Sequence, residues 1–160
     1  MKNVKFLLSA ALVFLASAAL AQDFSAPQYA KWGATPEERE QNILNSNFLK
    51  ESCDNRDYDA AAHYLKGLID KIPDAAESIY QRGAVVYKNK INRAKSVAEK
   101  NMFIDSLMLM YDMRAQYFGD NVKPGKTAFI LDQKAREFLR YKPNDRKGIR
   151  EACLLYTSDA

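Results

Sequence analysis

Asp57-Tyr58-Asp59-Ala60-Ala61-Ala62-His63-Tyr64-Leu65-Lys66-Gly67-Leu68-Ile69-Asp70-Lys71-Ile72-Pro73 decides the fold of this chain. Ala61, Leu65, Leu68, Ile69 and Ile72 recur in steps that place them on one face of a helix. Pro73 ends that helix, because proline lacks an N–H and its ring collides with the preceding turn. A second stripe follows at Ile79, Gly83, Val86 and Tyr87. Two short amphipathic helices joined by a tight turn make an αα-hairpin. Burying Leu65, Leu68, Ile69 and Ile72 gains roughly 6–12 kcal/mol. Ordering a helix of about fifteen residues costs roughly 1–2 kcal/mol per residue, so the hairpin needs neighbours to stack on.

Working outward, Thr35-Pro36-Glu37-Glu38 is a helix start, with Thr35 as cap, Pro36 at the first position and Glu38 completing a capping box. The first helix is expected to run to about Cys53, presenting Leu44, Phe48 and Leu49, with a turn at 54–56. Helices are expected at 58–72 and 75–90, then at 94–118, where Ile104, Leu107, Met108, Tyr111, Ala115 and Phe118 form a stripe ending before Gly119. Met102, Met108, Met110 and Met113 read as adaptable core filling. A fifth helix at 126–141 is expected to turn Ala128, Leu131, Ala135, Phe138 and Leu139 inward, and 143–145 turns the chain into a sixth. No segment carries the alternation or β-branched density of a strand. The fold class is therefore all-α, about six helices in three stacked antiparallel hairpins. Residues 22–34 read as an extended leader whose Trp32 packs on the first helix or marks a partner contact.

The hairpin resembles a tetratricopeptide repeat, whose period is about 34 residues with the pattern W-x2-L-G-x2-Y, A-x3-F, P. Ala61 and Leu65 match the A-x3-F element and Pro73 the terminal proline. Phe48 and Leu49 stand at the Leu-Gly pair; Ile79, Gly83 and Val86 stand at the Trp, Gly and Tyr positions of the next unit. Leu49 for a small residue and Arg82 for Leu depart from the pattern. The resemblance implies a solenoid over residues 35–152, with the first helix of each hairpin lining a groove for a partner peptide. Groove positions would be Ser46, Lys50, Cys53 and Asp54 in the first unit, and Glu77, Tyr80, Ala84, Tyr87 and Lys88 in the second. Some members of the family clamp a carboxylate with paired Lys and Asn; Lys50 is present here, but Ser46 stands where a second cation belongs. Tyr80 and Tyr87 suit partner contact, being rigid and amphipathic, or pack between repeats.

Both ends stand apart from this domain. Lys2 and Lys5, the apolar run from Phe6 to Leu15 and Ala19-Leu20-Ala21 have the form of a secretory signal peptide, with cleavage expected after residue 21. The apolar run is short for a membrane span, so an exported protein, periplasmic or secreted, without a span after cleavage is expected. Cys153-Leu154-Leu155-Tyr156-Thr157-Ser158-Asp159-Ala160 matches the translation of a transposase-type sequencing adapter, TGT CTC TTA TAC ACA TCT GAC GCT. Residues 153–160 are accordingly expected to be an artefact, and the domain to be truncated at 152. The formal charge of +4 is too mild to indicate nucleic acid, and the lysines alternate with carboxylates as on solvated helices. Cys53 is then the single native cysteine, which precludes an internal disulfide framework.

Gly125-Lys126-Thr127 ends like a phosphate-binding loop, but that loop needs G-x-x-x-x-G-K-[ST] between a strand and a helix. Gly119 is one residue too far away and follows a helix. His63, the one histidine, has neither a second histidine nor a cysteine pair for zinc and no nucleophile elbow beside it. No catalytic residue, metal or cofactor is expected. The expected function is an exported protein–protein interaction scaffold; the alternative is a docking module of a larger envelope enzyme whose catalytic domain follows residue 152.

Overall fold

The computed structural model describes residues 22–154; the expected signal peptide and residues 155–160 of the expected adapter-derived tail lie outside them. A 3-10 helix, Pro27–Trp32, precedes six α-helices: α1 (Pro36–Asp54), α2 (Tyr58–Lys71), α3 (Glu77–Arg93), α4 (Val97–Phe118), α5 (Lys126–Tyr141) and α6 (Arg146–Leu154). Among the described residues there is no strand. Each α-helix packs on the next in sequence, and α3 also lies against α1. The hairpins therefore stack openly, with α1 and α6 apart, rather than closing around one centre.

Helix starts follow their sequence signals. Thr35 Oγ1 accepts from Glu38 N at 3.2 Å, while the Glu38 carboxylate reaches back to Ala34 N at 2.9 Å. Asp57 Oδ1 accepts from Ala60 N, and Ser96 Oγ from Glu99 N. These side chains satisfy N–H groups that a helix start leaves unpaired. α1 closes through Arg56, a non-glycine residue at φ +60°: Arg56 N donates to Cys53 O and Asp57 N to Ser52 O. That is the bonding of a Schellman cap, a position where glycine is usual.

The leader is not extended. Arg39 of α1 draws it in, donating Nε to Gly33 O at 2.9 Å and Nη1 to Phe24 O at 3.1 Å. Asn42 Nδ2 donates to Trp32 O at 2.8 Å, and the Trp32 side chain packs against the core. One arginine thus replaces the interstrand or helical bonds that the leader's carbonyls would otherwise need.

Two apolar clusters form the core. The first joins α1, α2 and α3 through Leu49, Ala61, Leu65, Leu68, Ile79 and Tyr80, with Met110 of α4 inserted among them. The second joins α3, α4 and α5 through Ala84, Ile91, Ile104, Leu107, Met108, Tyr111 and Ile130. Tyr87 packs against both. α4 also serves both: Met113, Tyr117 and Phe118 in its C-terminal half meet the first cluster, and Phe103 and Ala115 the second.

Two expected faces are corrected. Leu44 and Phe48 are exposed, and the inward face of α1 is Asn42, Ser46 and Leu49. The polar side chains on that face hid it from an apolar count. On α5, Ala128 and Leu139 are exposed, and Ile130 is the fully buried residue. Ion pairs from Lys134 to Asp112 and from Lys142 to Asp105 supplement this slight apolar contact with α4.

Candidate functional site

Lys126 Nζ lies 2.7 Å from Glu77 Oε2, where α3 and α5 begin, and Lys88 Nζ lies 3.0 Å from Glu137 Oε1 farther along. Each pair joins residues 49 apart. α3 and α5 therefore run parallel and in register, about three helical turns separating the two bridges. α5 thus follows α3 at an offset of 49 residues, because α4 extends over 22 residues and a loop follows it. The backbone of α5 packs on α4 and does not approach α3. What remains between them is a groove floored by α4.

The groove holds a cavity of about 290 Å³. Tyr80, Ala84 and Lys88 line it from α3, Tyr111 and Arg114 from α4, and Glu137 from α5. A space of this size takes one or two side chains, at the lower limit of small-molecule sites. Its floor is polar at one point. Arg114, only 9% exposed, donates Nε to Glu77 Oε1 at 2.9 Å and Nη1 to Gln133 Oε1 at 2.9 Å. Arginine's fixed fork suits such a buried junction of three helices.

The charges are set by this packing. Burial pushes the Glu77 carboxyl up, but the hydrogen bonds from Lys126 and Arg114 outweigh it and hold the group below its ordinary value. Burial, then the nearby Glu137 charge, raises the Tyr111 and Tyr141 hydroxyls. Glu137 Oε2 is buried without a hydrogen-bond partner, with Arg140 Nη1 at 3.8 Å.

The expected groove residues divide. Tyr80, Ala84 and Lys88 line the cavity, and Tyr87 is half-buried between the two clusters. Tyr80 is 1% exposed; its hydroxyl donates to Pro73 O at 2.7 Å and its ring stacks on Tyr117. Of its two expected roles, the geometry is that of packing. Lys50 and Asp54 are brought together only with each other, in an exposed pair at 2.7 Å along α1, and neither lines the cavity. Cys53 is half-buried, and its thiol is raised by burial, with Arg82 opposing. Ser46 is buried on the inner face of α1.

Sequence reading missed Arg114, Gln133 and Glu137. Arg114 did carry a signal: it lies one helical step beyond Leu107 and Tyr111, on the apolar stripe of α4. Gln133 and Glu137 carried none, since α5 is polar on most of its surface. The Gly125-Lys126-Thr127 motif closes a loop instead of cradling phosphate. Gly125 adopts φ +77°, Thr127 N donates to Asp120 Oδ1 and Thr127 Oγ1 accepts from Asp120 N, and Lys126 holds Glu77.

Among the described residues no group of three or more His, Cys, Asp and Glu could hold a metal, and no helix is long and apolar enough to cross a membrane. No family model matches the chain, and no curated protein or solved structure matches it.

Proposed function

We propose that this protein is an exported interaction scaffold of the tetratricopeptide type, which binds a segment of another protein and performs no chemistry itself. One observation carries the reading: α3 and α5 stand parallel and in register, held apart by side-chain bridges, over a groove floored by α4. Parallel helices repeated along an open stack give an extended concave surface, the feature through which helical-repeat proteins bind. The signal-peptide pattern at residues 1–21 adds the exported compartment.

Photo-crosslinking tests it. A photoreactive amino acid at Gln81, an exposed residue of the groove, is expected to trap a discrete partner in cells producing the full-length chain, whereas the same probe at exposed Lys100 of α4 traps none. Equal labelling from both positions, or none from Gln81, refutes the groove as the binding surface.

A further inference from the structure

The two bridges that span the groove are alike in charge as well as in spacing. At one end the Glu77 carboxylate is shared by Arg114 and Lys126. At the other the Glu137 carboxylate is shared by Lys88 and Arg140. Each cluster sets two cations against one carboxylate, and so carries a net charge of +1. Arg136, on the rim, pairs with Asp132 and adds nothing to this balance. One cation from each cluster, Arg114 and Lys88, faces the same cavity. Arg114 and Lys126 are nearly buried, with side chains 11% and 19% exposed. Charges so placed are screened less than surface charges, and a groove lined by one sign concentrates that sign's counter-charge.

On the reading that this groove binds a protein segment, we infer that its occupant is an extended acidic peptide with two carboxylates separated by about five residues. The spacing follows from helix geometry. Glu77 and Lys88 are about three turns apart on α3, roughly 16 Å along its axis. An extended chain covers that distance in about five residues. Each incoming carboxylate completes a cluster to two cations and two anions. A basic segment would add a third cation at each end. The uncharged lining between the clusters, Ala84 of the α3 wall with Tyr111 of the floor, accommodates an uncharged side chain between the two acids.

The test is a displayed library of random twelve-residue peptides, panned against the full-length chain, with the methyl resonance of Met110, which also lines the cavity, as the reporter of groove occupancy. Selected peptides are expected to carry paired Asp or Glu about five residues apart and to shift Met110. Synthetic copies with both acids changed to amides are expected to bind at least tenfold more weakly. Arg140→Gln, at an exposed position, is expected to weaken binding about twofold to fivefold with helicity unchanged, and Lys88→Gln to weaken it further. Selected peptides that shift Met110 but are basic, or that bind equally as amides, overturn the acidic occupant and leave the groove standing. A selection in which no peptide shifts Met110 removes both.

Discussion

Arg114 and Glu77 meet at the junction of three helices, the arginine placing both Nε and Nη2 at 2.9 Å from a single carboxylate oxygen. Glu77 sits in the first turn of α3, where negative charge also favours the helix dipole. Removing either one breaks this junction, leaving Glu77 with Lys126 alone or Arg114 with Gln133 alone. Glu77→Ala is expected to cost about 2–3 kcal/mol, and Arg114→Met a similar amount. The double variant should lose less than the sum, because the contact between the two side chains can be lost only once. Urea denaturation of the four proteins measures this coupling; additive losses would mean the pair contributes nothing of its own.

The same carboxylate makes stability depend on acid. Its folded value lies below the ordinary one, so its contribution is complete above the unfolded value, about 4.3. It is lost as pH falls through the folded value. Between pH 5 and pH 3 the Glu77→Gln variant is expected to lose less stability than the parent. Parallel pH curves for the two proteins contradict the assignment.

Gly83 lies where α3 crosses α4. A methyl group there would come within 2.6 Å of Met110 Sδ and 3.1 Å of Leu65 Cδ2, and both neighbours are buried. Overpacking of this kind costs about 1–3 kcal/mol, against a helix-propensity gain of about 1 kcal/mol. Gly83→Ala should therefore lower the thermal midpoint, although alanine is the better helix former. A raised midpoint would show that Met110 yields freely.

At the end of α1 the sign reverses. Arg56 holds φ +60°, a conformation costly for a residue with a Cβ. Arg56→Gly relieves that strain while loosening the unfolded chain. A net stabilisation of about 0.5–1 kcal/mol is expected in urea, and a loss of stability would show that the Arg56 side chain contributes more than its backbone costs.

Tyr80→Phe separates packing from recognition. It removes the bond to Pro73 O and should cost about 0.5–1.5 kcal/mol. Peptide affinity should stay unchanged, since the hydroxyl is engaged within the chain. A large affinity loss with little change in stability returns Tyr80 to the binding surface.

Several helix ends could be read in advance, because caps and prolines act locally: Thr35, Asp57 and Pro73 each do what their chemistry requires, whereas α4, expected from 94, starts at Val97 behind the Ser96 cap. The stripes of α2 and α4 were equally legible, being densely apolar. α5 was not. With Ile130 its one fully buried side chain, its orientation depends on Lys126, Lys134 and Glu137 meeting charges on other helices, and no local period encodes such distant pairs. The groove was half visible for the same reason. Its α3 wall follows from the repeat-like pattern, but its floor and far wall depend on Arg114 and on the 49-residue register, which appear only once α4 and α5 are placed.

The length of α4 bears on how the protein comes apart. In an array of self-contained repeats, the joints between units are seams along which an end can fray while the rest persists. Here one helix is staked in both apolar clusters, with Met110, Met113, Tyr117 and Phe118 in one and Ile104, Leu107, Met108, Tyr111 and Ala115 in the other. Neither cluster can melt without pulling on a helix that the other still holds. Trp32, the chain's one tryptophan, touches the first cluster only, so its fluorescence and the loss of helix in α5 should follow a single denaturation curve. The overlong helix is a splice across the joint: the two units ride on it as one body, and the groove above it keeps its shape until the whole fold is lost.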